Sequence, residues 1–362
     1  MIWILQRLIF VFFLILCTAY LFYKIYGSLW LFLLIPILSF LPFILFYFYR
    51  NKRNLSLEIF LGHYLFYLNY IILGALAILS LALILKIFSI DIIKVISQRK
   101  KSFHIFVIFS LGILSLLGYR NFKYIGVENY EIPKEIIQSK NGLKFAFISD
   151  VHLNGKFDGE KLRQAFKKME KQGVELVLIG GDFLDNSYKS ITDDIKSIID
   201  KTSFKHGIYL VLGNHEYYGG IDGNIEYIKD LGINILRDES VKIEGLTIVG
   251  RDDRHNKNRK SLNELLKDID RDSTVIVMDH NPQSLDELGD EKVDLYLSGH
   301  THKGQLFPFN LVVNYMYENS GGYKKVGDTH TYVSSGLVTW MIPYRIGSKS
   351  EILIFSGIDM DK

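Results

Sequence analysis

Hydrophobic residues are distributed in two different ways along this chain of 362 residues. Up to residue 120 they form long runs, whereas from residue 143 onward they form short runs separated by charged segments. Four of the long runs contain no Asp, Glu, Lys or Arg, and they occupy residues 8–23, 25–49, 59–85 and 102–119. A helix that spans a bilayer needs about 20 apolar residues. The pattern therefore predicts a transmembrane module in residues 1–120, with about four helices at 5–24, 28–49, 62–86 and 102–119.

The first of these runs leaves an alternative open. Residues 8–17 resemble the apolar region of a signal peptide, which would leave three spans behind a cleaved or interfacial first segment. The residues that follow Cys17 do not resemble a small-residue cleavage site. Pro36 and Pro42 lie inside the second run, where a helical bundle in lipid tolerates them. We therefore expect a multi-pass protein of the cell membrane.

Basic residues give a near tie for the orientation of the chain in the membrane. One side would receive Arg7, Arg50, Lys52, Arg53, Arg120 and Lys123, and the other Lys24, Lys86, Lys94, Arg99, Lys100 and Lys101. The densest cluster is KVISQRKK at residues 94–101, which follows an apolar stretch suited to an anionic inner leaflet. This cluster favours a location of the carboxyl-terminal part outside the cytoplasm.

The carboxyl-terminal part has the pattern of a soluble α/β domain in residues 143–362, after a predicted linker at 121–142. Within this linker, NFKYIGVENYEIP alternates between apolar and polar residues, which is compatible with a first strand. Apolar runs of strand length alternate with helical patterns such as GEKLRQAFKKMEKQ at residues 159–172. Continuous hydrophobicity is typical of strands that are buried on both faces. In such folds ligands bind outside the carboxyl ends of the strands.

Five of the short apolar runs end in side chains that can bind metals. These side chains are Asp150 and His152, Asp182, Asn214 and His215, Asp279 and His280, and His300 and His302. A single residue of this kind is usually a cap or a turn residue, but five strand ends with the same chemistry predict one shared site. Carboxylate and imidazole ligands suit Mn, Fe or Zn. Cys17 is the only cysteine and lies in an apolar run, which excludes a site built on several thiolates.

The mixture of ligands favours a centre with two metals. Two cations about 3.5–4 Å apart need a bridging ligand, and Asp182 has room for this role because it follows two glycines. Residues i and i+2 of a strand point the same way, so we expect His300 and His302 to reach one centre, one at each metal. Such a centre would activate water for attack on phosphorus.

Five segments together resemble the calcineurin-like metallophosphoesterase family, in the family's order. They are DVH at 150–152, GGDFLD at 180–185, GNHE at 213–216, DHNP at 279–282 and GHTH at 299–302. The resemblance covers residues 143–357, and the tail SSGLVTWMIPYRIGSKSEI is similar to the bacterial membrane-anchored branch. It implies a four-layer αββα sandwich. With the transmembrane module predicted from hydropathy, the expected architecture is an N-terminal four-helix transmembrane module followed by this sandwich. Phe183 and Leu184 stand where the purple acid phosphatase branch has a tyrosine ligand, so we do not expect an iron charge-transfer site.

The resemblance also implies a role for each residue of the motifs. The first metal would be held by Asp150, His152, Asp182 and His302, and the second by Asp182, Asn214, His280 and His300. His215 would lie beside the metals and bind phosphate or protonate the leaving oxygen, with Asn214 also near the substrate. Asp185 would be a supporting or turn residue.

Two arginines outside the motifs are candidates for substrate contact. Arg345 lies between apolar residues near the carboxyl end, and its guanidinium suits bidentate recognition of phosphate. Arg251 lies in GRDDR at residues 250–254, for which we expect a solvated loop.

These observations predict a membrane-bound metal-dependent phosphohydrolase that acts on a phosphoester or pyrophosphate, with two divalent metal ions as cofactors. The membrane module allows a lipid-linked substrate, and the resemblance suggests hydrolysis of the UDP-2,3-diacylglucosamine type, although that reaction needs a site on the cytoplasmic face. The alternative is a membrane sensor that binds metal or nucleotide without turnover. A net charge of +3 gives no support to a nucleic-acid partner. The substrate, the native metal and the oligomeric state are left open.

Overall fold

The computed structural model describes residues 2–49, 55–130, 138–139, 143–154, 158–191, 194–269, 273–288, 293–356 and 358–359. The chain divides into two compact units, Met1–Leu116 and Leu117–Lys362.

The first unit is built from helices. They are α1 (Ile2–Tyr26), α2 (Leu29–Tyr49), α3 (Leu55–Lys86), the short α4 (Ile92–Gln98) and most of α5 (Lys100–Lys123). Within the described residues, two stretches are long and apolar enough to cross a membrane, Ile59–Lys86 and Lys100–Lys123. In the first two helices, the apolar stretches among the described side chains are Val11–Tyr26 and Leu29–Pro42. Helices thus occur at all four predicted positions, two of them are candidate spans over the described residues, and the four-span module stays a prediction.

The second unit contains two six-stranded sheets. The strands of the first sheet are β1 (Ile125–Tyr130), β3 (Lys144–Ile148), β4 (Leu176–Ile179), β5 (Ile208–Leu210), β6 (Asn234–Ile235) and β13 (Ser350–Ser356). Their spatial order is β1-β13-β3-β4-β5-β6. Strands β3 to β6 run parallel, while β13 is antiparallel to β3 and parallel to β1. The parallel strands therefore direct their carboxyl ends to one edge of the sheet.

The second sheet has the spatial order β11-β12-β10-β9-β8-β7. Its strands are β7 (Glu239–Ile243), β8 (Leu246–Gly250), β9 (Thr274–Met278), β10 (Leu295–Ser298), β11 (Gly322–Val326) and β12 (Thr329–Val333). The central strands β8, β9, β10 and β12 are parallel, and the outer β7 and β11 are antiparallel to their neighbours. Two short strands, β2 (Gln138–Ser139) and β14 (Ile358–Asp359), pair separately.

Alternation along β3 shows how the layers are packed. Phe145 and Phe147 belong to the core between the two sheets, together with Met278 of β9. Ala146 and Ile148 face the opposite way, into a core that includes side chains of the helices α6 (Asp158–Lys171), α7 (Ile195–Asp200) and α9 (Ile221–Asp230). A third core lies under α10 (Leu262–Leu266) on the second sheet. The predicted α/β class is therefore present as a mixed fold with two sheets, whose outer faces pack against helices.

The structure changes the expected start of the soluble domain. Residues 125–130 lie in the predicted linker, at the alternating stretch that indicated a first strand, and they form β1 and pair with β13 along their whole length. The boundary between the compact units lies earlier still, between Leu116 and Leu117, inside α5. The rest of the expected linker, at 131–137 and 140–142, lies outside the described residues.

Candidate metal centre

The loops that carry the predicted ligands bend through a rarely used backbone conformation. Five of the ligand positions have a positive φ: Asp150 (52°), His152 (46°), Asp182 (50°), His300 (71°) and His302 (48°). This conformation disfavours residues other than glycine, and strained backbone persists only where neighbouring structure holds it in place. Hydrogen bonds between the loops supply that support. The Asp150 N–H donates to the Gly181 carbonyl at 3.0 Å, and the His152 N–H donates to the Asp182 carbonyl at 2.9 Å.

The same observation corrects the reasoning about His300 and His302. Strand β10 ends at Ser298, so the alternation of side chains along a strand does not apply to the two histidines. His302 instead begins a short 3₁₀ helix, His302–Gly304. The two rings separate, since His302 joins a group around Asp150 and His300 joins a group around Asp182.

Asp150, His152 and His302 form the first group. His302 Nε2 lies 3.4 Å from Asp150 Oδ1, and His152 Nε2 lies 3.9 Å from the same oxygen. The two imidazoles face each other with 3.1 Å between their Nε2 atoms. Asp150 is fully buried and also accepts hydrogen bonds from the Ser149 hydroxyl and the His300 N–H. Its position is thus set by both sides of the site.

Asp182, His280 and His300 form the second group. His280 Nε2 lies 3.2 Å from Asp182 Oδ2, 3.1 Å from Asn214 Oδ1 and 3.2 Å from His300 Nδ1. The other ring nitrogen of His280 contacts the Gly180 carbonyl at 2.8 Å, which fixes the ring orientation. Such a contact on the far side of an imidazole is typical of histidines that bind metals.

Two glycines make room for the carboxylates. A Cβ at Gly213 would lie 2.1 Å from Asp182 Oδ1, and a Cβ at Gly299 would lie 2.5 Å from Asp150 Oδ2. Both distances are far shorter than any contact between nonbonded heavy atoms. The glycines of GNHE and GHTH are therefore required by the close approach of the two aspartates.

Burial and neighbouring charges shift the pKa values of the residues in the site. Burial alone would raise the pKa of Asp182, but the nearby His280 and its hydrogen bond outweigh burial and hold the pKa far below its ordinary value. For His302, burial lowers the pKa to about 3. For His300, burial and then the charge of His280 lower the pKa to about 4. For His280, burial alone would lower the pKa, but Asp182 outweighs burial and raises the pKa well above its ordinary value. The site therefore presents ionised carboxylates beside the neutral imidazoles of His300 and His302, and these are the forms in which both side chains bind metal ions.

These features fit a pair of divalent cations. His152 with His302 and His280 with His300 bring imidazole nitrogens together at 3.1 and 3.2 Å, a spacing that donor atoms around a shared cation adopt. His302 Nδ1 is also buried without a hydrogen-bond partner. The donor set contains only carboxylate, imidazole and amide groups, which suits Mn, Fe or Zn.

His215 lies at the edge of both groups. Its N–H donates to Asp182 Oδ1 at 2.9 Å, and its ring Nε2 is 4.0 Å from Asp182 Oδ2. Its Nδ1 lies 2.6 Å from the Asp185 carbonyl and 3.4 Å from Asp185 Oδ1. Burial lowers the pKa of His215, but hydrogen bonds and charge from Asp185 and Asp182 outweigh burial and raise it to about 9. The ring is therefore held in one orientation and favours the protonated form.

Sequence reasoning missed the role of Glu216. Its side chain is completely buried and accepts hydrogen bonds from the backbone N–H groups of Asp182, Leu184 and Gly213. Glu216 thus ties the loop after β4 to the start of α8 (Asn214–Tyr218). Glu216 stands three residues after Gly213, the N-cap of α8, and this is the position from which a glutamate can accept the N-cap N–H. This signal was available in the sequence.

Arg251 is a correction to the expected solvated loop. Its side chain is 1% exposed and lies 3.2 Å from Asp279 Oδ2 and 2.8 Å from Glu287 Oε2. Asp279 also accepts a hydrogen bond from the Tyr296 hydroxyl at 3.0 Å. The strand-end carboxylate of Asp279 is therefore engaged by Arg251 and Tyr296, and it is not part of either metal-binding group.

Arg345 lies beside the site but does not present its guanidinium to it. The residue is 0% exposed, and its two terminal nitrogens donate to the carbonyls of Ser335, Gly336 and Val338 at 2.7–3.0 Å. These N–H groups already donate to backbone carbonyls of the protein, which argues against the expected contact between Arg345 and substrate. The loop that Arg345 holds is close to the first group, since a Cβ at Gly336 would lie 2.8 Å from the Asp150 Cβ.

Comparison with known proteins now decides the family. Residues 143–304 match the profile of the calcineurin-like phosphoesterases. An uncharacterized metallophosphoesterase of Helicobacter pylori is 33% identical over 339 residues, which cover 90% of this chain and 88% of that protein. The chain belongs to the calcineurin-like metallophosphoesterases. This metallophosphoesterase is accordingly a hydrolase of phosphoesters.

Other relatives of the metallophosphoesterase carry membrane segments. A transmembrane protein with a metallophosphoesterase domain from Danio rerio is 28% identical over 244 residues, covering 62% of this chain and 56% of that protein. Together with the two candidate membrane helices, this likeness supports association with a membrane. Among solved structures, a 5'-nucleotidase precursor from Thermus thermophilus matches with a TM-score of 0.36 and 14% identity, covering 59% of this chain and 54% of that one.

Proposed function

We propose that this metallophosphoesterase is a multi-pass membrane enzyme that uses two divalent cations to hydrolyse a phosphoester or pyrophosphate carried by a lipid. The pairing of imidazoles at 3.1 and 3.2 Å in two buried groups, each with its own aspartate, carries the dinuclear part of this proposal. The end of a candidate membrane helix, which belongs to the same compact unit as the site, supports the lipid part.

Each cation would have its own set of protein ligands. Asp150, His152 and His302 would hold one, and His280, His300 and the Asn214 amide oxygen would hold the other. Asp182 would serve both, because its Oδ2 lies 3.2 Å from His280 Nε2 while its backbone carbonyl accepts the His152 N–H at 2.9 Å, which puts Asp182 next to both groups. Two such cations supply electrostatic stabilisation of the phosphoryl oxygens and lower the pKa of water.

His215 would act on the substrate directly. Its Nδ1 is engaged by Asp185, so its Nε2 is the atom available to a phosphate oxygen. The raised pKa keeps a proton on the ring near neutral pH. His215 would therefore stabilise the phosphoryl group and donate the proton that the leaving oxygen needs.

Hydrolysis by the purified full-length chain in detergent with Mn²⁺ tests the proposal. The substrates are a phosphomonoester, a phosphodiester, a soluble nucleotide sugar and UDP-2,3-diacylglucosamine. We expect His215→Ala to lower kcat by about 10²–10⁴-fold with bound metal unchanged, and Asp182→Asn to lower metal content as well. His206→Ala is the matched control, because His206 precedes β5 at the amino end of the strand, and it should retain full activity.

The outcomes separate the parts of the proposal. Full activity in Asp182→Asn would contradict the dinuclear centre. Turnover of soluble esters at a higher kcat/KM than lipid-linked ones would contradict the lipid substrate and leave the metal centre standing. Stoichiometric metal without turnover of any substrate would favour a sensor.

A further inference from the structure

The helix α11 (Phe309–Met316) exposes apolar side chains directly after the metal-binding loop. None of its residues is buried. Among its side chains, Tyr315 is 92% exposed, Leu311 57%, Phe309 50% and Val312 45%. Residues 306–317 contain no charged residue. A contiguous apolar surface of this kind marks an interaction site in a folded protein.

The polar residues of α11 contact the domain. Asn310 and Asn314 are four residues apart and so lie on one side of the helix. The Asn314 side chain accepts a hydrogen bond from the Ser320 hydroxyl, and the backbone of Asn310 packs against Gly304. The apolar side chains are thus directed outward, which is the reverse of an ordinary surface helix.

A second exposed aromatic residue lies beside this helix. Trp340 is 49% exposed. Its backbone N–H donates to Gln305 Oε1 at 3.0 Å, and its backbone carbonyl accepts a hydrogen bond from Gln305 Nε2 at 3.1 Å. The segment before α11 therefore holds Trp340 next to the helix. We call the exposed side chains of Phe309, Leu311, Val312, Tyr315, Met316 and Trp340 the apolar ridge.

The apolar ridge is continuous with the end of the membrane helix α5. The Ile346 N–H donates to the Gln305 carbonyl at 2.9 Å, and the Phe307 N–H donates back to the Ile346 carbonyl at 2.8 Å. The adjacent Arg345 N–H donates to the Gly118 carbonyl of α5 at 3.0 Å. The last residues of a candidate span and the base of the apolar ridge are therefore joined through residues 345–346.

The charges near the apolar ridge suit lipid headgroups. Arg120 and Lys123 occupy the last turn of α5, and Lys303 lies in the loop that leads to α11. Basic side chains beside exposed Trp and Tyr are typical of segments at the boundary of headgroups and acyl chains.

We propose that the apolar ridge inserts into the bilayer surface beside the end of α5, so that the lipid itself covers α11 and Trp340. The metal-binding loop His302–Gly304 lies just before the ridge in sequence, and the docked ridge holds this loop close to the headgroups. This inference concerns only where the domain rests, and its test does not depend on the proposed substrate or on turnover.

Fluorescence of Trp340 in lipid tests this proposal. The chain has three tryptophans, so Trp3→Phe and Trp30→Phe leave Trp340 as the only one. The full-length variant is placed in vesicles whose phosphatidylcholine carries bromine near the headgroup end of the acyl chain. We expect Trp340 emission to fall by about half or more relative to unbrominated lipid, since a docked residue lies about 5–10 Å into this boundary.

A matched control places the only tryptophan elsewhere. Lys205→Trp, with all three native tryptophans changed to Phe, puts the probe at an exposed position before β5, at the amino end of the strand. Its emission should be insensitive to brominated lipid and quenched by acrylamide in solution. Leu311→Asp with Tyr315→Asp, both at exposed positions that leave the core intact, should restore the Trp340 emission in brominated lipid.

Two results would overturn the proposal. Trp340 that is insensitive to the bromines and as accessible to acrylamide as the control probe would mean that the apolar ridge faces water. Trp340 that is shielded from acrylamide but insensitive to the bromines would mean that a second copy of the chain covers it.

Discussion

The carboxylate of Glu216 accepts a hydrogen bond from the N–H of Asp182 at 3.1 Å, in a fully buried position. The same carboxylate accepts the N–H groups of Leu184 and Gly213. The residue proposed to join both cations is thus held by a side chain that lies in neither metal-binding group.

Replacing Glu216 by Ala should destabilise the domain by about 3 kcal/mol or more, because three buried N–H groups would lose their acceptor. Thermal unfolding of the full-length protein measures the change, and metal content should fall with it. Glu226→Ala is the control, since Glu226 is exposed on α9 and should shift the melting temperature little. An unchanged melting temperature in Glu216→Ala would contradict this role.

Gly299→Ala should weaken metal binding by about 10–100-fold, the range found for residues that orient metal ligands. The new Cβ would lie 2.5 Å from Asp150 Oδ2 and from Ser149 Oγ, so the carboxylate has to move. Titration of the metal-free protein with Mn²⁺ measures the affinity.

The matched change for Gly299→Ala is Gly126→Ala in β1, where the nearest atoms would be at an ordinary 3.6 Å. The Gly126 variant should bind metal normally. Equal Mn²⁺ affinities in the two variants would show that Asp150 can move without weakening metal binding.

Arg345→Met should lower the melting temperature by the loss of several buried hydrogen bonds, each contributing about 1.5–3 kcal/mol when the donor is charged. The carbonyls of Ser335, Gly336 and Val338 would be left without their donor. Arg163→Met, at an exposed position on α6, should have little effect. A raised KM in an Arg345→Met protein of normal stability would restore the original expectation that Arg345 contacts substrate.

Removal of metal with a chelator should lower the melting temperature of the wild-type protein. A cation present at about 100 times its Kd stabilises the folded state by about 2.7 kcal/mol. Asp182→Asn should respond much less to the chelator because it has lost the ligand that both cations would share. For each protein, the melting temperature of the chelated sample is compared with that of the Mn²⁺-loaded sample. An equal difference in melting temperature for wild type and Asp182→Asn would argue against Asp182 as the bridge.

The sequence predicted which residues meet, but not how the backbone brings them together. Apolar runs that end in Asp, Asn and His correctly indicated the strands β3, β4, β5, β9 and β10, because burial on both faces leaves a plain hydrophobic signal. The positive φ of His300 and His302 has no such signal, and strand alternation does not explain their positions because β10 ends at Ser298.

The supporting residues were harder to predict for a physical reason. Arg251 and Arg345 are long charged side chains, which usually lie in water. Both are buried here because carboxylates or carbonyls surround them, and those partners are distant in sequence. The alternation of residues 125–130 indicated a strand inside the predicted linker, but it could not indicate the partner, since β13 lies more than two hundred residues further along the chain.

The position of β13 between β1 and β3 has a consequence for how the protein is made. Strand β1 directly follows α5, yet its neighbour in the sheet comes from residues 350–356, which are synthesised more than two hundred residues later. Until these residues have been made, β1 is joined to β3 only by the connecting chain. A nascent chain that stops before residue 350 leaves β3 with an open edge, which is a site for unwanted pairing with other chains.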